Sequence, residues 1–294
     1  KADSKAARRF FEKNYVPHRV VEERPGLVTG YYEPEVNGSR ERSEKFQVPV
    51  YRRPDDLVQL KPDELRALYN ASFSVARRQG DALMRYYSRS EIEDGALEGQ
   101  GLELLYLDDP VELFFMQIQG SGRVRFADGS WVRLGYAAKN GHSYTSIGKL
   151  LLERGEKPAG GLTMEGLKSW LREDPKRGQA LMQQNASYVF FRELPPDEAG
   201  DGPVGAQGVA LTPGRSLAVD AAYHKLGTPV FVSAPEVPTP NGKPFRRLMI
   251  AQDVGSAIRG KQRGDIYWGS GDKAGAIAGI TKHQARFYVL LPKR

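Results

Sequence analysis

The chain has 294 residues, a net charge of +7 and no cysteine. The lack of cysteine excludes a disulfide-stapled domain, a thiolate metal site and a cysteine nucleophile. A hydrophobic fraction of 40% at this length predicts one large folded domain or two ordinary ones. No apolar run approaches the roughly 20 residues that cross a bilayer, and no signal peptide is visible. The basic residues are scattered, which favours a solvated surface over a nucleic-acid interface.

The first half of the chain reads mainly as strands. Apolar residues after a capping Ser4 predict a helix up to Tyr15, and a shorter helix is predicted at 63–69. A turn is predicted at 37–39, and the Asp128-Gly129 dipeptide predicts a hairpin. Strands or β-rich stretches are predicted at 27–32, 46–51, 102–106, 111–119 and 131–134.

The second half begins with helices and ends with strands. Ser143 and Thr163 are expected to cap two helices, a third covers about 176–184, and a strand follows at 188–192. A proline- and glycine-rich linker covers 194–208. Short β segments separated by turns then predict a small barrel; they lie at 209–211, 217–221, 229–232, 248–253, 265–268 and 285–291.

Several kinds of active site lack support in the sequence. The four histidines are far apart and in no metal-binding pairing, so no metal is predicted. No nucleophile elbow is present, and the glycine-rich stretch at 269–279 fits neither a phosphate loop nor a dinucleotide fold. We therefore expect no cofactor.

Carboxylates remain as candidates for catalysis. Asp220, Asp253 and Asp265 each stand at the end of a separate β segment, where a turn or capping role is the ordinary alternative. Asp265 is followed directly by Ile-Tyr-Trp-Gly, and burial among apolar and aromatic groups raises the pKa of an acid. A general acid at neutral pH needs such a raised pKa.

Tyrosines and polar residues in glycine-flanked segments predict a sugar-binding cleft. Any single tyrosine of this kind also fits a core position. The candidates are Tyr31, Tyr32, Tyr136 and Tyr144, with Gln119, Ser121, Lys139 and Asn140 as hydrogen-bonding groups.

Longer segments of the chain form a recognisable series. They are Gly-Tyr-Tyr-Glu-Pro (30–34), Val-Pro-Val-Tyr (48–51), Gln-Ile-Gln-Gly-Ser-Gly (117–122), the stretches 136–144, 146–149 and 185–191, Asp-Val-Gly-Ser-Ala-Ile-Arg-Gly (253–260) and Asp-Ile-Tyr-Trp-Gly (265–269). In this order, from about residue 26 to 294, the chain resembles the membrane-bound lytic transglycosylase A family of bacteria.

The resemblance implies an enzyme and a fold. Such enzymes cleave the β-1,4 bond between N-acetylmuramic acid and N-acetylglucosamine of peptidoglycan and leave a 1,6-anhydromuramoyl end. The implied fold is mainly β with short helices: a double-psi β-barrel catalytic domain, an inserted smaller β-domain and a groove between them. We expect the barrel at 1–88 and 205–294 and the inserted domain at 89–204.

The resemblance also assigns residues. Asp265 matches the single catalytic acid, which would serve as general acid and then as base while the muramoyl C6 hydroxyl attacks, and Asp253 matches a carboxylate that helps to set up the site. The expected substrate-binding residues are Tyr31, Tyr32, Gln119, Ser121, Gly122, Lys139, Asn140, Tyr144, Asp220, Trp268 and Gly269.

The implied partners are peptidoglycan strands and possible other cell-wall enzymes, with no nucleic acid. The implied location is the periplasm, with an outer-membrane lipid anchor that this cysteine-free sequence does not carry. Two alternatives stay open: a hydrolytic muramidase that uses a second carboxylate, and a glycan-binding module without catalysis.

Overall fold

A computed structural model describes residues 3–61, 63–64, 75–195, 202–239 and 242–293. The helix predicted at 63–69 lies mostly outside these residues. Within them the strands are β1 (Tyr15–Arg19), β2 (Gly26–Glu33), β3 (Glu35–Ser39), β4 (Val48–Tyr51), β5 (Leu57–Gln59), β6 (Val75–Gln79), β7 (Ala82–Arg85), β8 (Glu103–Leu107), β9 (Ser121–Arg125), β10 (Trp131–Lys139), β11 (Val189–Glu193), β12 (Ser216–Val219), β13 (Pro229–Ala234), β14 (Phe245–Val254), β15 (Arg263–Ser270) and β16 (Lys282–Pro292).

The helices are short. They are α1 (Ser4–Asn14), α2 (Arg89–Glu91) with a π-helical turn (Ile92–Ala96) after it, α3 (Pro110–Gln119), α4 (Ile147–Glu153), α5 (Met164–Glu173), α6 (Pro175–Met182) and α7 (Gly271–Ile280). In the part of the chain that is described, no helix is long and apolar enough to cross a membrane.

Two compact units make up the chain. Unit one consists of Lys1–Tyr32 and Asp197–Arg294, and unit two is Glu33–Pro196. We expected residues 33–88 in the first domain, but β3 and β4 pair with β8 and β9, which draws the boundary back to residue 32. The second boundary falls inside the linker predicted at 194–208.

Unit one contains a closed barrel of six strands. Their order is β2, β16, β13, β14, β12, β15 and back to β2, so both ends of the chain contribute. The long β16 closes the ring, because its first half pairs with β2 and its second half with β13, while β1 adds to its outer edge. The interior is apolar and includes Val28, Leu217 and Phe287. The small barrel predicted from the sequence is confirmed for five of its six predicted segments, while residues 209–211 form no strand of it. The strand β2 joins these five from the N-terminal part of the expected barrel domain.

The strand register of the barrel determines where two carboxylates lie. Ala218 of β12 pairs with Asp253 of β14 on one side and with Asp265 of β15 on the other. Paired residues direct their side chains to the same face of a sheet, and adjacent strands are about 4.8 Å apart. The two aspartates therefore share one face, two strand spacings from each other.

Unit two is built on a sheet in the order β11, β10, β9, β3, β8, β4. Within it the ion pair of Arg133 and Glu33 is almost fully buried, with Nε of Arg133 2.7 Å from Oε1 of Glu33. The helices α3 to α6 pack around Trp170 and Phe114. A separate sheet has the order β5, β6, β7.

Five local predictions are wrong. Asp3, and not Ser4, caps α1. Residues 209–211 form no strand, and Ala210 makes an isolated bridge with Val204. The stretch 111–119 is the helix α3, because Asp109 caps it, Pro110 begins it and Gly120 ends it in the left-handed conformation; its continuous apolar run suits a buried strand equally well. The turn expected at 37–39 lies within β3. Ser146, and not Ser143, caps α4. The Thr163 cap and the hairpin of β9 and β10 are confirmed.

Candidate active site

Asp265 lies on β15 in the wall of the barrel, with its carboxylate held at one oxygen. The hydroxyl of Thr29 on β2 donates to Oδ1 of Asp265 at 2.6 Å. The same hydroxyl oxygen accepts a hydrogen bond from Nη2 of Arg263 at 2.8 Å. Oδ2 of Asp265 has no hydrogen bond to any residue that the structure describes, so this oxygen can exchange a proton with a substrate.

The environment of Asp265 shifts its protonation toward the neutral form. Burial raises the pKa of this carboxyl to about 6, against the pull of the Thr29 hydrogen bond and the Arg263 charge, while the Asp253 charge adds to the rise. A carboxyl with a pKa near 6 is protonated in part of the molecules close to neutral pH. It can therefore act as a general acid and recover the proton as a base.

Asp253 is anchored more completely. Its Oδ2 accepts from the Tyr31 hydroxyl at 2.9 Å, and its Oδ1 accepts from the backbone N–H groups of Ala206 at 3.0 Å and Val254 at 2.9 Å. Burial raises its pKa although these three bonds oppose the rise. Both oxygens are thus engaged, which suits a fixed charge beside Asp265 better than a group that activates water.

Strand alternation explains how these groups meet. Thr29 and Tyr31 are two residues apart on β2, and Arg263, Asp265 and Tyr267 are two residues apart on β15, so each set lies on one face of its strand. The rings of Tyr31 and Tyr267 lie 5.4 Å apart between centroids. Burial and the charge of Asp253 hold the pKa of Tyr31 well above its usual value, so its hydroxyl stays a donor.

Thr29 and Arg263 are absent from the residues selected on the sequence. The sequence did contain one signal for them: Thr29 is two residues from Tyr31, and Arg263 is two residues from Asp265, within or next to segments predicted as strands. This signal identifies a site only when β2 is known to pair with β15, which lies more than 200 residues away in the chain.

Trp268 and Tyr32 lie near this cluster in packed positions. The Trp268 indole covers Gly30 so closely that a Cβ there would come within 2.6 Å of Nε1, and its ring centroid is 5.7 Å from that of Phe245. Tyr32 is 5% exposed and its ring packs against Gly275 of α7, which gives it a core position.

Gly269 provides a backbone bend. Its φ of +114° is a conformation that side chains disfavour, and it directs the chain from β15 into α7. Glycine is favoured there by this backbone conformation.

Asp220 has a structural role. Its Oδ1 accepts from the backbone N–H of Ala222 at 3.1 Å, and its Oδ2 from that of Gly260 at 2.8 Å. These bonds lower its pKa, so it remains ionised and joins the loop after β12 to the loop before β15. His224 strengthens the same junction through a 2.7 Å bond between Nε2 and the carbonyl of Lys261. Such a residue is poorly suited as a proton donor or as a substrate ligand.

The other expected substrate-binding residues lie in unit two. Gln119 ends α3, while Ser121 and Gly122 begin β9; Gly122 is buried where a Cβ would collide with the Met116 side chain. Lys139 ends β10 and is half-buried.

Asn140 and Tyr144 differ sharply in exposure. Asn140 is 0% exposed: its amide nitrogen donates to the carbonyls of Tyr87 and Ala186, and its oxygen accepts from the N–H of Tyr188. This side chain holds three backbone segments together and has no group left for a substrate. Tyr144 is 40% exposed and keeps its ring available.

Comparisons with known proteins define the class. Residues 27–192 match the family model described as the MltA specific insert domain, and residues 215–291 match the 3D domain. The chain is thus a barrel of the 3D type that carries an MltA insert. It belongs to the membrane-bound lytic murein transglycosylase A family.

Solved structures and curated relatives agree with this assignment. A membrane-bound lytic murein transglycosylase from Agrobacterium tumefaciens is 41% identical with a TM-score of 0.91, over 98% of this chain and 79% of that one. Escherichia coli MltA with bound chitohexaose is 32% identical with a TM-score of 0.77, over 96% and 77%. The membrane-bound lytic murein transglycosylase A of Escherichia coli K12 is 36% identical over 89% of this chain, which spans 64% of that relative.

Proposed function

We propose that the protein is a peptidoglycan lytic transglycosylase. It cleaves the β-1,4 bond between N-acetylmuramic acid and N-acetylglucosamine and forms a 1,6-anhydromuramoyl product. The observation that carries this proposal is Asp265, a partly buried carboxyl with a pKa of about 6 that is held at one oxygen and open at the other. A relative of the same family binds a chitin hexasaccharide, which supports a glycan substrate.

The reaction balances with one carboxyl group. Protonated Asp265 gives its proton to the glycosidic oxygen as the bond to muramoyl C1 breaks. The C6 hydroxyl of the same sugar then attacks C1 and returns its proton to the Asp265 carboxylate. The nucleophile is intramolecular and has a high effective concentration, so no second carboxylate and no water are consumed. Asp253, fixed by Tyr31 and two backbone N–H groups, supplies negative charge close to the developing oxocarbenium ion.

We extend the proposal to architecture and location. The six-stranded barrel is of the double-psi type, and exposed Tyr144 and half-buried Gln119, Ser121 and Lys139 contact the glycan. The protein acts in the cell envelope, in the periplasm, with an outer-membrane lipid anchor in the full-length form. The membrane-bound relatives support the envelope location.

The test is the Asp265→Asn variant on purified sacculi, with anhydromuropeptides measured by mass spectrometry. We expect a loss of at least about 100-fold in product release, the usual contribution of a general acid, with sacculus binding retained. Asp55→Asn, at a side chain 93% exposed, is the matched control and should release product at the wild-type rate. Full activity of Asp265→Asn would refute the assignment, and products with reducing ends would establish a hydrolytic muramidase.

A further inference from the structure

Unit two contains a cavity of about 470 Å³. Its walls come from β4, α2 with its π-helical turn, β8, the start of α3 and the helices α5 and α6. Every described lining residue belongs to unit two, so the cavity shares no side chain with the Asp265 cluster. Small-molecule sites are typically cavities of roughly 300–1,000 Å³ with a few convergent polar groups.

Tyr51 is the first sign that this cavity accepts a polar ligand. It is 3% exposed and lines the cavity, yet its hydroxyl has no hydrogen-bond partner among the described residues. A hydroxyl without a protein partner can donate a hydrogen bond to a ligand. Burial, with the charges of Glu103 and Glu98, raises the pKa of Tyr51 to about 12, so the phenol stays a donor.

Strand register places a carboxylate beside this phenol. Tyr51 of β4 pairs directly with Glu103 of β8, next to an irregularity between Val50 and Tyr51. Side chains paired across two strands have Cβ atoms about 5 Å apart. The phenol and the carboxylate therefore form one polar edge of the cavity.

Two arginines in the lining are already neutralised. Arg89, with its side chain 2% exposed, donates to the carbonyls of Asn185 and Ser187 and pairs with Glu93 at 3.2 Å. Arg172 pairs with Asp109 at 2.7 Å and also with a second carboxylate of α3. Neither guanidinium is available to a ligand.

Three charged groups remain without an ion pair among the described residues. Glu98 and Glu103 are carboxylates, and Arg42 is a guanidinium whose Nε donates to Oε1 of Gln47 at 2.9 Å. The carboxylates match an ammonium group and the guanidinium matches a carboxylate. Other lining residues are apolar and include Val48 and Met182.

We propose that this cavity binds a peptide stem of peptidoglycan, through an ammonium group at Glu98 and Glu103, a carboxylate at Arg42 and a hydrogen bond from Tyr51, with the aliphatic frame against the apolar wall. The proposal rests on the proposed function for the source of the peptide. A ligand with an ammonium group and a carboxylate on an aliphatic frame can pair with the two glutamates and with Arg42 at the same time. A neutral sugar cannot form these ion pairs.

The experiment titrates the intact chain with the free tripeptide L-alanyl-γ-D-glutamyl-meso-diaminopimelate by isothermal calorimetry. We expect saturable binding that weakens about tenfold or more in the double variant Glu98→Gln/Glu103→Gln, because each ammonium–carboxylate bond contributes substantially to affinity. Acetylation of the peptide amines should weaken binding similarly, and Tyr51→Phe should weaken it about threefold to tenfold. The control Glu41→Gln/Glu165→Gln removes two exposed carboxylates that do not line the cavity.

The outcomes separate this proposal from the cleavage reaction, because the tripeptide has no glycosidic bond. No saturable binding up to about 10 mM, weaker than most specific complexes, would overturn the proposal. The proposal would also be overturned if the Glu98→Gln/Glu103→Gln variant bound the tripeptide as tightly as the wild type and had the same thermal melt. Binding of chitohexaose that the same variant abolishes would show a sugar site instead.

Discussion

Replacing Asp265 by asparagine should stabilise the barrel at neutral pH. The folded protein holds the pKa of this carboxyl at about 6, whereas the unfolded chain has the ordinary value near 3.9. Between these two values the folded state binds more protons than the unfolded state, so the stability of the wild type falls as pH rises through this range. A pKa difference of about 2 corresponds to about 3 kcal/mol in the free energy of unfolding. This is an upper limit for Asp265→Asn, because the substitution also removes the interactions of the carboxylate with Thr29 and Arg263.

The stability assay follows urea unfolding by the fluorescence of Trp268. The other two tryptophans lie in unit two. Both are substituted by phenylalanine in the parent protein and in every variant of this assay, so that Trp268 is the only tryptophan that reports. We expect Asp265→Asn to be about 1–3 kcal/mol more stable than the parent at pH 7.5 and nearly equal to it at pH 4. Asp272→Asn, an exposed acid in the first turn of α7, should lower stability slightly at pH 7.5. An unchanged stability of Asp265→Asn at pH 7.5 would mean that the carboxylate is well solvated, and its role as a protonated acid would be refuted.

Three further predictions concern the rate of anhydromuropeptide release. The rate should fall about tenfold per pH unit above about 6, as Asp265 loses its proton, and a flat profile from pH 6 to 8 would contradict this. Thr29→Val removes a hydrogen bond that lowers the Asp265 pKa, so the alkaline limb should move to higher pH while the maximal rate drops about tenfold; Thr29→Ser should restore both. Tyr31→Phe frees one oxygen of Asp253 and should slow release about threefold to tenfold, with sacculus binding as the comparison; an unchanged rate would remove Tyr31 from the site.

Much of the barrel could be predicted from the sequence because its strands are short and bounded by turns. β12, β13, β14, β15 and β16 all overlap predicted β segments. The helix α7 could not be predicted, since its glycines and alanines carry little apolar periodicity and resemble a loop. The helix α3 was misjudged because an unbroken apolar run has neither the period of a helix nor that of a strand.

The candidate site shows a similar division. Asp265 and Asp253 are identifiable by the aromatic and glycine neighbours in their segments, and the structure places them on one face of the barrel. The sequence could not distinguish Asn140 and Asp220 from ligand-binding residues. Only tertiary contacts show that the Asn140 amide and the Asp220 carboxylate already have hydrogen-bond partners in the protein. Whether Gln119 or Tyr144 touches a substrate stays a prediction.

Barrel closure through β2 and β16 has a consequence during synthesis. The strand that supplies Thr29 is translated more than 200 residues before its partners β15 and β16. A nascent or C-terminally truncated chain therefore cannot assemble the Thr29–Asp265 contact, however well its middle portion has folded. The proposed activity, which depends on this contact, is therefore acquired only after β15 has been translated.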